Sequence, residues 1–157
     1  MKATETPFVT FMETLLDANG YSDSHVTGKA GDQGGDILTQ DDDEKIIIQA
    51  KNYSLHRKVT NDAVQEVLGA IAYYGADKGV VVTNSFFTKS AIELAKVNSI
   101  TLWDRRVVTQ MLEGFNNQKD KSEDVHSSYS STEQSGSSYS TRYKKGSNKD
   151  TVYKVGE

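Results

Sequence analysis

The chain has 157 residues, enough for one domain around a single hydrophobic core and too few for two of ordinary size. It contains no cysteine, which excludes disulfide frameworks, Cys-ligated zinc, iron–sulfur clusters and thiol catalysis together. Lys and Arg number 18 against 22 Asp and Glu, a net charge of −4, so any contact with a polyanion depends on where the basic groups gather.

The first residues, Met1 to Thr6, are too polar to open a signal peptide, and no apolar run approaches the ~20 residues that a membrane-spanning helix needs. A soluble, cytoplasmic protein is the expectation. Phe8, Phe11, Met12, Leu15 and Leu16 recur at helical spacing and predict a first helix that Pro7 can open and Gly20 can close. Short strands follow: His25-Val26-Thr27, then Asp36 to Gln40, then Lys45 to Lys51, the last rich in β-branched residues. The second and third are separated only by the acidic run Asp41-Asp42-Asp43-Glu44, which predicts a hairpin with a solvated tip.

Val64, Val67, Leu68 and Ile71 predict a second helix from about Asn61 to Tyr74, with Thr60, Asn61 and Asp62 as candidate caps. Gly79 to Thr83 reads as a buried strand, and Thr88 can cap a third helix running to about Val97. Ile100 to Trp103 gives a fifth strand, and Asp104 can cap a last helix through Leu112. The order is α-β-β-β-α-β-α-β-α, an α/β sandwich whose sheet mixes an antiparallel hairpin with a parallel βαβ unit. After Phe115 the composition turns to Ser, Lys, Asp and Gly with isolated tyrosines. The folded domain is therefore expected over residues 5–115 and a disordered tail over 116–157.

Pairing Gln40 with Lys45 sets Asp36 opposite Gln49 and Lys51 opposite Gly34. Side chains alternate along a strand, so Gln49 and Lys51 share one face and Asp36 joins them across the ladder, while Ile46, Ile48 and Ala50 enter the core. A carboxylate and a neutral carbonyl oxygen suit a hard cation such as Mg²⁺, with Mn²⁺ as a substitute. A lysine two residues on can hold an attacking water, steady charge developing at phosphorus, or act as a base. Phosphodiester hydrolysis needs such a set. The approach to Asp36, Gly28 to Gly35, is rich in glycine, which allows a bulky polymer near the metal, and it lacks both phosphate-cradling motifs, GxxxxGK[ST] and GxGxxG. Lys29, Asn52, Arg57 and Lys58 flank the same open end and are candidate DNA contacts. Gln65, one turn into the second helix, is a candidate to orient a water or a ligand. His25, His56 and His126 are too scattered for a metal site.

The same stretches carry a resemblance. Gly31-Asp32-Gln33-Gly34-Gly35-Asp36, Gln49-Ala50-Lys51, Ala63-Val64-Gln65-Glu66-Val67, the run from Asp77 to Thr88, Ala91 to Lys96, and Leu102-Trp103-Asp104-Arg105 lie in the order of one known domain. Residues from about 8 to 113 are thus similar to the catalytic domain of Mrr-type restriction endonucleases, within the PD-(D/E)xK nuclease superfamily. The resemblance implies a metal-dependent endonuclease acting on double-stranded DNA, in restriction or defence against foreign or modified DNA. By position, Asp36 resembles the metal-binding aspartate, Gln49 the residue at the Glu/Gln site and Lys51 the catalytic lysine. Many relatives carry a glutamate after the first aromatic of the first helix. Here Val9 follows Phe8, and Glu13 is the nearest substitute. The alternatives are a junction-resolving or repair nuclease of the same fold, and a DNA-binding or assembly module whose site has decayed. Relatives usually join this unit to a separate DNA-reading domain. Specificity here is expected from loops, a twofold homodimer or a separate recognition subunit.

Overall fold

The computed structural model describes residues 7–27 and 36–123. Among them the elements run α1 (Pro7–Ala18), β1 (Ser22–Val26), β2 (Ile37–Asp41), β3 (Glu44–Lys51), α2 (Asn61–Tyr74), β4 (Lys78–Thr83), α3 (Lys89–Val97), β5 (Thr101–Trp103) and α4 (Arg105–Glu123). This is the predicted order. The strands form one sheet in the sequence β1-β2-β3-β4-β5, antiparallel from β1 to β3 and parallel from β3 to β5.

β3 is central because its run of isoleucines can be buried on both faces. Ile46 and Ile48 pack with Ile37, Val80 and Val82 beneath α1 and α4, where Met12, Leu16 and Met111 are fully buried. Ile47 points the other way, into a second core with Val81, Leu102 and the apolar faces of α2 and α3. The molecule is therefore a three-layer α/β/α sandwich. Gly79 matters to the second core: a Cβ there would lie 2.7 Å from Ile71 Cδ1, so its absence lets α2 settle close on β4.

The hairpin pairs in the expected register, with Gln40 against Lys45, but it is tighter than expected. Asp41 and Glu44 still pair, and the turn is Asp42-Asp43 alone, with Asp42 in the left-handed region at φ 53°. Glu44 turns back to an ion pair with Lys78, so only the two turn residues are a solvated tip.

Three expectations are corrected. On α1, Val9 is buried and Phe11 is 39% exposed, because the helix rests on the sheet through Phe8, Val9, Met12, Leu15 and Leu16. β1 begins three residues earlier than predicted. It is an edge strand of polar residues with a register shift between Ser22 and His25 and Asp23 at φ 52°, so it shows no clean alternation. α4 continues past Leu112 to Glu123. Val108 and Met111 anchor its first turns, and no proline or glycine follows Gly114 to end it before that point. The remainder of the expected tail, residues 124–157, lies outside the described residues. Among the described residues no helix is long and apolar enough to cross a membrane.

Candidate active site

β2 and β3 part at the end away from their turn. The last ladder pair is Ile37 with Ile48, which puts Asp36 at the next position, beside Gln49. The backbone holds Asp36 from two sides: its amide donates to the Ile48 carbonyl at 2.8 Å, and its carbonyl accepts from the Thr27 amide at 2.9 Å. Its carboxylate Oδ2 accepts the Ala50 amide at 2.8 Å. A side chain thus closes the ladder where the strand opens, and the acid group is fixed against β3 between Gln49 and Lys51.

Gln49 is 7% exposed, and its Oε1 has no hydrogen-bond partner among the described residues. Buried carbonyl oxygens are nearly always satisfied, and one left without a partner costs about 1–3 kcal/mol, so this one next to a carboxylate is a candidate ligand position. Asp36 and Gln49 fit a hard cation in donor chemistry: one anionic oxygen and one neutral oxygen.

Lys51 follows on the face of Gln49, as alternation requires. Its carbonyl accepts from Thr83 Oγ1 at 2.7 Å, which locks the end of β3 to the end of β4. Its Nζ donates to Glu66 Oε2 on α2 at 2.7 Å, with side-chain exposures of 20% and 41%. The position opposite Lys51, Gly34, is outside the described residues, as is Lys29.

Beyond Lys51 the chain is tied down by Asn84, which follows β4. Asn84 Oδ1 accepts the Tyr53 amide at 2.9 Å, and its Nδ2 donates to Asn52 Oδ1 at 2.7 Å. Buried Ser85 donates through Oγ to the Arg57 carbonyl at 2.8 Å and accepts the Arg105 amide at 2.9 Å on its own carbonyl. The Arg57 guanidinium stacks 4.1 Å over the Tyr53 ring, and Arg57 and Lys58 are both exposed. Asn52, Arg57, Lys58 and Arg105 therefore gather with the site at the carboxyl ends of the parallel strands, where open α/β sheets place their ligands.

Two candidates make no direct bond with Asp36, Gln49 or Lys51 among the described residues. Gln65 is exposed, because α2 buries Ala63, Val64, Val67 and Ala70, and a residue two positions from Ala63 and Val67 points away from that face. Its neighbour Glu66, on the flank of the buried face, is the one that reaches Lys51. Glu13 is half-buried on α1, across the sheet from α2, and bonds neither Gln49 nor Lys51. Sequence reasoning did not single out Glu66 or Asn84, whose side chains bond Lys51, Asn52 and Tyr53. A usable signal for the first was an acidic residue one position from the apolar stripe of the helix that follows β3.

Two solved structures share this fold. One is a protein of unknown function, AF1548, with a TM-score of 0.54 and 17% identity, covering 61% of this chain and 55% of its own. The other is the DNA modification-dependent restriction endonuclease AspBHI, with a TM-score of 0.53 and 17% identity, covering 75% of this chain and 36% of its own. The chain thus spans about half of the first and about a third of the second, and at this identity the likeness is one of fold. No curated protein matches it. The family model of the Mrr catalytic domain, described as a restriction endonuclease, matches residues 1–112, and the chain belongs to that family.

Proposed function

We propose that the protein is a Mg²⁺-dependent endonuclease that hydrolyses phosphodiester bonds in double-stranded DNA, in restriction or defence against foreign or modified DNA. The observation that carries this reading is the buried Gln49 Oε1, without a partner among the described residues, beside the anchored Asp36. These two residues would hold the ion, and such a small protein donor set suits Mg²⁺, which retains several waters; Mn²⁺ would substitute. When bound, the ion polarises the phosphate and acidifies a water.

Hydrolysis forms one bond from a water oxygen to phosphorus and breaks one ester P–O bond, and the leaving oxygen takes up a proton. Asp36, fixed through the Ala50 amide, keeps its carboxylate in place throughout. Lys51 Nζ is a cation donor on the same face as Gln49, suited to hold the attacking water or to steady charge at phosphorus. Arg57, Lys58 and Asn52, with Lys29 upstream, would meet DNA phosphates. Sequence reading would come from loops, a second copy of the chain or a separate recognition subunit.

The test is incubation with methylated and unmethylated supercoiled plasmid, with Mg²⁺ or with chelator. Nicked and linear products that require Mg²⁺ are expected. Plasmid left intact in every condition would refute the reading; binding without cutting would favour a decayed module, and preference for four-way junctions a repair nuclease.

A further inference from the structure

We propose that Glu66 is a positioning residue for this reaction, holding the ammonium of Lys51 where it meets the scissile phosphate. The inference rests on the reading of Lys51 given above and adds a member to its site.

The argument starts from the lysine side chain. Its ammonium is a compact charge at the end of a four-carbon stem with several rotatable bonds, so a strand position alone does not place the tip. Lys51 is held at both ends. Thr83 Oγ1 bonds its carbonyl at 2.7 Å and fixes the backbone, while Glu66 Oε2 takes its Nζ at 2.7 Å and fixes the tip. Glu66 itself stands on a firm support: Ala63 and Ala70, three residues before and four after it on α2, are buried in the second core.

The pair does little for folding. Glu66 is 41% exposed, and ion pairs this open to water add little to stability because solvent screens them and ordering both side chains offsets the attraction. Positioning is different, since small displacements of a group acting in the transition state cost large factors in rate. With its carboxylate committed to Lys51, Glu66 is not available as a ligand of the metal beside Gln49. Its loss should therefore alter turnover and leave the metal requirement alone.

The experiment compares the full-length parent with Glu66→Ala, Glu66→Gln, Lys51→Ala and the Lys51→Ala, Glu66→Ala pair. Glu66→Ala should lower kcat by about 10- to 100-fold, with KM for DNA and the Mg²⁺ concentration for half-maximal rate each within about twofold. Glu66→Gln keeps an acceptor oxygen and should recover most of the loss. The double variant should be no slower than Lys51→Ala alone, because a group acting through Lys51 has nothing left to do without it. In the metal-free protein, nitrogen relaxation of the Lys51 ammonium should show a restricted tip in the parent and a mobile one in Glu66→Ala. Cleavage by Glu66→Ala at the parental rate, a raised Mg²⁺ requirement, or a double variant slower than Lys51→Ala would each overturn the positioning role. A parent protein that cuts nothing would overturn the endonuclease reading itself, and this inference with it.

Discussion

At the level of single residues the informative group is a neutral amide buried where a carboxylate would be costly. Gln49 is 7% exposed, so Gln49→Glu places a carboxylate in a desolvated position. The metal-free variant should lose about 1–3 kcal/mol of stability, and Mg²⁺ should restore it by pairing the new charge. A thermal melt with and without Mg²⁺ checks this, and a loss that Mg²⁺ leaves untouched would mark Gln49 as a purely structural residue. Asp36→Asn keeps an oxygen for the Ala50 amide, so it should fold normally yet show weakened metal binding and cleavage lowered by about 100-fold or more. Lys51→Ala should retain most metal binding and lose most turnover. Parental cleavage by both variants would sink the site. Asp36, Gln49 and Lys51 could be brought together from sequence because strand alternation and a short turn leave one register. Gln65 and Glu66 could not be told apart that way. Which flank of α2 faces Lys51 depends on how Ala63, Val64 and Val67 seat on the sheet, and that rotation is set by tertiary packing.

At the level of elements, the start of α4 joins the core to the site. Asp104 is 1% exposed; its Oδ1 accepts the Arg106 amide at 2.9 Å, and its Oδ2 takes Arg106 Nη2 at 2.8 Å. An acid at this position caps the first amides of the helix and favours the positive end of its dipole. Asp104→Ala removes cap and partner together and should cost about 1–3 kcal/mol, read as a fall in melting temperature of several degrees. Arg105 is the first residue of α4 and bonds Ser85 and Asn84, so the same variant should also loosen the loop after Lys51. A melting temperature equal to the parent's would show that Arg106 and solvent suffice. α2 was predicted with its observed ends from its apolar stripe and the polar residues at its start, although Thr60 makes no side-chain cap bond and the closing Gly75, in the left-handed region, was not read. β1 and α4 were not. An edge strand of polar residues with a bulge has no apolar period to read, and the second half of α4 persists on helix propensity after its apolar face has ended.

At the level of the whole molecule, a local group of basic residues lies at one end of the sheet, although Lys45 and Lys78 stand at the hairpin end and Asp36 and Glu66 at the other. Asp42 and Asp43 project at the hairpin tip, while Lys51, Arg57, Lys58 and Arg105 collect at the carboxyl ends of β3, β4 and β5. A net charge of −4 is compatible with DNA binding because Arg57, Lys58 and Arg105 lie together and none is in an ion pair with a described acid. From composition alone residues 124–157 are expected to be dispensable for folding, so a chain ending at Glu123 should unfold at the parental temperature, and a large fall would show that they dock on the domain. The basic end gives the sharper prediction. Arg57 and Lys58 are exposed, and neither is in an ion pair with a described acid. Stacking on Tyr53 holds the Arg57 guanidinium at the surface without neutralising it. Such groups displace condensed counterions when they meet phosphates, and each contact contributes about 0.9 to the slope of log affinity against log salt. The Arg57→Ala, Lys58→Ala pair should therefore weaken binding to unrelated duplexes by similar factors, and should flatten that slope by roughly 2. Measured with Ca²⁺ or chelator to prevent cutting, binding that keeps the parental slope would place the DNA on another surface. Loss confined to particular sequences would instead mean that the loop reads bases.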